Sequence, residues 1–354
     1  MDSCAIRIVH RPLAFTRPAG TSRGVLTEKP SWFLIARHPD GRQGVGECSL
    51  IPGLSPEHPL RAARALEAVA ASGTLDVDAV PEHLPAVRFA VETALIDLLV
   101  PGEMRLFDSP FADGAEGIPL NGLVWMDGVE AMWEAAGRLV SHGFTTLKFK
   151  VGALDFGAEL DLLTSVRRAY PDCTLRVDAN GSFSSLPEGE ALRRCEALAD
   201  LGVHSIEQPL RAGRWVELAA LCRTSPLPIA LDEELIGLTS TEVRRAMLHT
   251  VRPAYIVLKP SLIGGLREAN AWVDLASEVG AGWWATSALE SNVGLNAIAQ
   301  WTADALSSLP AADRLPQGLG TGGLFTNNLA SPLAVRDGGL WIDHGPLATP
   351  WSLP

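Results

Sequence analysis

Five charged side chains stand where an apolar, strand-like run ends: Lys150 after TLKF, Asp178 after TLRV, Glu207 after SI, Asp232 after PIAL and Lys259 after AYIVL. The intervals between them are 28, 29, 25 and 27 residues. Each interval is the length of one strand, one helix and their turns, so each strand delivers one charged group to a common rim. Taken singly, each acid reads as a solvated loop residue or an ion-pair partner. Three acids on adjacent strands, flanked by lysines, read better as a metal site. Crowded carboxylates raise one another's pKa, and a divalent cation relieves the repulsion. All-oxygen ligation by Asp178, Glu207 and Asp232 suits Mg²⁺, with Mn²⁺ able to substitute.

Lys148 and Lys150 lie two apart on one strand and share a face. Phe149 and Val151 suit the apolar layer, which sends both lysines inward. A second ammonium and a nearby cation disfavour protonation of Lys150, and a lysine so lowered serves as a general base near neutral pH. The ion-pair reading is stronger for Lys148 than for Lys150. Lys259 is expected to face Lys150 across the barrel. Together these groups describe one chemistry. A metal holds a carboxylate substrate, a lysine removes the proton α to it, and positive charge stabilises the enediolate.

The elements that must position these residues are legible from residue 117 onward. Strand-like runs fall at 117–126, 145–152, 174–180, 205–210, 228–235, 254–260, 282–289 and, weakly, 317–321. Helical patterns lie between them, as at 157–170 and 266–280. This alternation predicts parallel strands with right-handed crossovers, closed as a modified TIM barrel of the (β/α)7β kind over residues 116–324. The first 115 residues differ. Strands at IRIVHRPLAF and SWFLIARHPD flank a polar loop, FTRPAGTSRG (15–24); GVGECSL follows, then two helices. They predict an α+β capping domain. A tail hairpin with a Gly-Gly turn is expected within 325–354, returning to that domain.

The combined motif resembles the enolase superfamily in its muconate-lactonizing-enzyme subgroup. The matching elements are K-x-K (Lys148, Lys150), D-x-N (Asp178, Asn180), E-Q-P (Glu207), D-E (Asp232, Glu233) and L-K-P (Lys259). The likeness covers nearly the whole chain. VLKPSLIGG, SALESNVGLNAIAQWTA and QGLGTGGLFTNN are most similar to the o-succinylbenzoate synthases within it. The resemblance implies a cap over a (β/α)7β barrel, with Asp178, Glu207 and Asp232 ligating Mg²⁺. It implies Lys150 as base and as the acid that helps hydroxide leave, and Lys259 as electrostatic stabiliser. The implied reaction is syn dehydration of 2-succinyl-6-hydroxy-2,4-cyclohexadiene-1-carboxylate in menaquinone biosynthesis. Racemisation of N-succinylamino acids, or dipeptide epimerisation, is the alternative on the same core. It needs a base on each face of the α-carbon, hence both Lys150 and Lys259. Substrate contacts are expected from the cap loops and the last strand ends: Arg17 or Arg23, the loop CSLIPGLSPE, Asn180, Ser287, Ser291, Asn292 and Gly320. Ser291 and Asn292 also suit the cap of the next helix.

Composition narrows the remaining classes. The 354 residues carry 29 basic and 41 acidic side chains, a net charge of −12 that disfavours general binding to nucleic acid or anionic membrane. The expected partner is a small-molecule carboxylate, and nothing in the sequence sets an oligomeric state. No apolar run reaches the ~18 residues of a membrane span, and the first residues lack a signal-peptide core. Five scattered cysteines without C-x-x-C suit reduced thiols and a cytoplasmic protein. The G-x-G-x-x-G at 318–323 lacks the following helix that a dinucleotide fingerprint requires. A non-catalytic barrel acting as scaffold is the remaining reading, and the five-part constellation argues against it.

Overall fold

The computed structural model describes residues 3–21, 24–100, 104–343, 351 and 353. The N-terminal part carries β1 (Ala5–His10), β2 (Leu13–Thr21), β3 (Gly24–Lys29), β4 (Ser31–Arg37), β5 (Gln43–Ser49), α1 (Pro59–Ser72) and α2 (Pro85–Leu99). An antiparallel sheet in the order β1-β4-β5 packs against both helices. The G-V-G of β5 lets α2 lie directly on the strand: a Cβ on Gly46 would sit 1.9 Å from the Ala90 carbonyl oxygen. The run expected as one strand over 6–15 is two, parted at Arg11–Pro12, where proline has no N–H for a ladder. Much of the segment expected as loop, 15–24, is strand instead. Antiparallel pairing of β2 with β3 satisfies its backbone, with an irregularity between Ala14 and Ala19.

The barrel follows. A short β6 (Ile118–Pro119) precedes β7 (Asn121–Val124), and then helices and strands alternate. They are α3 (Val129–Ser141), β8 (Thr146–Lys150), α4 (Phe156–Ala169), β9 (Thr174–Asp178), α5 (Glu190–Asp200), β10 (Ser205–Glu207), α6 (Trp215–Thr224), β11 (Ile229–Leu231), α7 (Thr241–Val251), β12 (Tyr255–Leu258), the single-turn α8 (Pro260–Ile263), α9 (Leu266–Glu278), β13 (Gly282–Ala285) and α10 (Asn292–Ser307). Strands β7 to β13 form one parallel sheet in sequence order. The eighth position contracts to two parallel bridges. Gln317 pairs with Leu120 beside β7, and Gly318 with Thr286 beside β13, joining the sheet's two edges. The architecture is (β/α)7β, as the degenerate run at 317–321 foreshadows.

Between sheet and helices runs one apolar layer, including Leu147, Phe149, Val177, Ile206, Leu231 and Leu258. Because strand side chains alternate, this layer fixes which residues face inward. The tail hairpin, β14 (Leu333–Arg336) and β15 (Gly339–Ile342), pairs with β6 and not with the cap sheet. Its turn is Asp337–Gly338, both at positive φ, in place of the expected Gly-Gly. The tail does reach the cap elsewhere: Phe325 bridges Phe15, and Trp351 packs on Phe33 and Ile35.

Candidate active site

The charged residues come together by register. Lys150 lies beside Asp178 and Asp178 beside Glu207 at the carboxyl ends of β8, β9 and β10. Asp232 and Lys259 follow the last residues of β11 and β12. Lys148 Nζ donates to Glu207 Oε2 at 2.6 Å and lies 3.0 Å from Asp178 Oδ2. Lys150 Nζ donates to the same Asp178 oxygen at 2.6 Å and to Asn180 Oδ1 at 2.8 Å. Lys259 donates to Asp232 Oδ2. Counted around eight positions, the second and sixth strand ends carry Lys150 and Lys259, which places them on opposite sides.

Burial and charge act against each other here. Burial, followed by the Asp178 charge, pushes Glu207 up to about 8. Burial would also raise Asp178, but Lys148 and Lys150 outweigh it and hold this carboxyl well below the usual range. For Lys148, burial favours the neutral amine, yet Asp178 and Glu207 prevail and its pKa rises. Lys259 moves up for the same reason, through Asp232 and Glu233. The acids are thus bridged by ammonium groups. Among the described residues, no three carboxylates stand as a ready metal cage. The ion-pair reading, weighed lower for Lys150 than for Lys148, applies to both, because in-register pairing sets Lys150 against Asp178. The donor set still suits a hard cation. All three acids are buried, all offer oxygen, and Glu207 Oε1 is a buried acceptor without a hydrogen-bond partner.

A cavity of about 220 Å³ opens on this rim, lined by Lys148, Lys150, Asp178, Asn180, Glu233 and Lys259 on its polar side. Ser287 and Gly320 also line it, as do Ile51 and Leu54 from the cap loop. Three sequence candidates lie elsewhere. Arg17 is exposed on β2 and does not line the cavity. Ser291 is buried and caps α10, its hydroxyl accepting from Val293 N at 3.2 Å. Asn292 is drawn to the tail segment, donating from Nδ2 to Leu329 O at 2.6 Å. Both are held by the demands of a helix N-terminus. Arg23 falls outside the described residues.

Some supporting residues escaped the sequence reading. Gln208, the middle letter of E-Q-P, accepts on Oε1 from Asp232 N (3.0 Å) and Glu234 N (3.2 Å), so it fixes the turn that carries Asp232. Arg176 lies two residues before Asp178, buried in the barrel, with its guanidinium 4.1 Å from the Trp284 ring centroid. Burial lowers its pKa to about 10. An arginine on the inward parity of a strand was the available signal. Thr286 and Thr321 line the cavity with buried hydroxyls that have no protein partner; nothing in their local sequence marks them.

The fold and rim agree with comparisons to known proteins. Residues 131–346 match the model of the enolase C-terminal domain-like family. An o-succinylbenzoate synthase from Desulfotalea psychrophila is 47% identical, over 93% of this chain and 96% of that protein. The crystal structure of MenC from the same organism superposes with a TM-score of 0.80 at 41% identity, covering 96% of this chain and 100% of that one. An N-succinylamino acid racemase from Amycolatopsis is 25% identical over 98% of this chain and 93% of its own length. The chain belongs to the enolase C-terminal domain-like family.

Proposed function

We propose that the chain is an o-succinylbenzoate synthase, a hydro-lyase that dehydrates 2-succinyl-6-hydroxy-2,4-cyclohexadiene-1-carboxylate to 2-succinylbenzoate. The observation that carries this reading is the pair Lys150 and Lys259, facing one cavity from opposite sides with Asp178 between them. The 47% identity to the Desulfotalea enzyme supports the choice of substrate. Asp178, Glu207 and Asp232 would hold a divalent cation, Mg²⁺ by the preference of an all-oxygen set, with Mn²⁺ able to substitute. That cation supplies positive charge to the substrate carboxylate.

The chain's own residues do the rest. Lys150, once its ammonium has lost a proton to solvent, takes the proton from the carbon bearing the carboxylate, and that C–H electron pair moves toward the carboxylate. Lys259 offers its ammonium to the charge that develops there. The C–O bond to the neighbouring hydroxyl then breaks, Lys150 returns its proton to the departing hydroxide, and water leaves from the same face. The ring becomes aromatic, so the step runs strongly downhill. Ile51, Leu54 and Leu289 line the cavity with apolar surface suited to the ring. Menaquinone biosynthesis is the proposed setting, and the cytoplasm the proposed compartment, in keeping with five free thiols.

The test is spectrophotometric turnover of the cyclohexadiene acid, before and after EDTA. Expected is turnover that EDTA removes and Mg²⁺ restores; turnover indifferent to EDTA contradicts the cation, and no turnover contradicts the substrate. The two opposed lysines also favour a second reading, N-succinylamino acid racemase, which needs a base on each face. Racemisation by wild type, with Lys259→Arg keeping deuterium exchange but losing racemisation, would establish it.

A further inference from the structure

A second group of charges lies behind the cavity wall, sealed from water. Lys29 and Glu47 of the cap and Glu290 of the barrel have no exposed surface. Lys29 donates to Ser49 Oγ; burial lowers its pKa, and the charges of Glu47 and Glu290 act against that. Glu47 reaches across the domain boundary to the start of α10. Its Oε1 accepts from Ser291 N at 2.9 Å, and its Oε2 accepts from Ser291 Oγ at 2.5 Å and Gly294 N at 3.0 Å. Glu290 ties two strand ends together. Its Oε1 accepts from Ser261 Oγ at 2.5 Å, two residues beyond Lys259. Its Oε2 accepts from Ser287 Oγ at 2.7 Å and Ala288 N at 2.8 Å.

Between Ser287 and Glu290, Leu289 sits at φ 59°, a left-handed conformation that costs a non-glycine residue roughly 1–2 kcal/mol. Its side chain lines the cavity. The Ser287 hydroxyl gives its hydrogen to Glu290 and accepts from Leu289 N at 2.9 Å, so it has no hydrogen left for a substrate. Burying ions costs several kcal/mol each, and apolar packing would join two domains as stably. Directed hydrogen bonds do what apolar packing does not: they fix where separate backbones lie relative to one another.

We propose that Glu290 is a positioning residue for the reaction, holding both the turn behind Lys259 and the Leu289 wall, with Lys29 and Glu47 of the cap as its anchor. Docking of the cap thereby sets the geometry of one side of the cavity. The kinetic readout rests on the reaction proposed above. Ser261→Ala frees only the Lys259 arm, and alanine fits the space. It is expected to fold but to melt below wild type, because Glu290 Oε1 loses its donor, with kcat per folded molecule down about tenfold and KM within about twofold. Glu290→Gln exchanges one acceptor for a donor and loosens an arm; it is expected to lower kcat and raise KM, each about tenfold. Wild-type kcat per folded molecule in both variants overturns the proposal. A crystal structure of Glu290→Gln reads the cluster without the reaction: Leu289 is expected to leave the left-handed region or Ser261 to shift. Both unmoved overturns the proposal, whereas wild type inactive toward the cyclohexadiene acid overturns the reaction assignment alone.

Discussion

Two groups of lysine and carboxylate are buried in this protein, one at the barrel rim and one between cap and barrel. At the rim, Lys148, Lys150, Asp178 and Lys259 border a cavity that a small molecule can enter. Behind it, Lys29, Glu47 and Glu290 are enclosed, and their hydrogen bonds go to serines and to a helix N-terminus. The materials are alike and the uses differ. Charge beside an open cavity can meet a substrate and move a proton; charge without access can only hold backbone in place. Buried ions alone therefore do not identify a catalytic centre, and the cavity distinguishes the two.

Substitutions separate the groups. At the rim, Asp178→Asn removes the carboxylate that both Lys148 and Lys150 engage. Turnover is expected to fall by about 10³ or more, and calorimetry should show weakened Mg²⁺ binding, while the fold survives. In the sealed group the effect moves to stability. Lys29→Met strands two buried carboxylates, and denaturant unfolding should show a loss of about 3–5 kcal/mol; an unchanged midpoint would show that neither glutamate depends on that ammonium.

A smaller effect comes from Asp97 of α2, whose carboxylate accepts from Val45 N at 2.8 Å. Burial raises it to about 7 from an ordinary value near 3.8. Between those values the folded protein binds a proton that the unfolded chain does not. Stability from this group is therefore lost as pH rises through that window. Asp97→Asn should flatten the pH 5 to 8 stability profile by about 2 kcal/mol, and equal slopes in both proteins would remove Asp97 from the explanation. The smallest effect is expected at Arg17: exposed and away from the cavity, Arg17→Ala should leave kcat/KM within about twofold, and a larger loss would place the ribbon over the substrate.

The rim was readable because a barrel repeats. One strand and one helix per charged residue turns spacing into position, and the apolar parity of Phe149 and Val151 directs Lys148 and Lys150 inward. The ion pairing of Lys150 was not readable, since it depends on the register that sets it beside Asp178. The ribbon of β2 and β3 was hidden by Pro18, Gly20 and the polar residues around them, which signal loop locally while pairing supplies the strand. The sealed group was hidden for a different reason. Glu47 sits 244 residues from Ser291, and Glu290 29 from Ser261, with no periodicity to relate them. A glutamate within the apolar alternation of GVGECSL was the only local sign.

The base itself is the most direct point of attack. Wild type and Lys150→Ala, each saturated with Mg²⁺ and the cyclohexadiene acid, are expected to differ in kcat by at least about 10³, with the cation still bound. Turnover by the alanine variant within about tenfold of wild type would show that another group removes the proton.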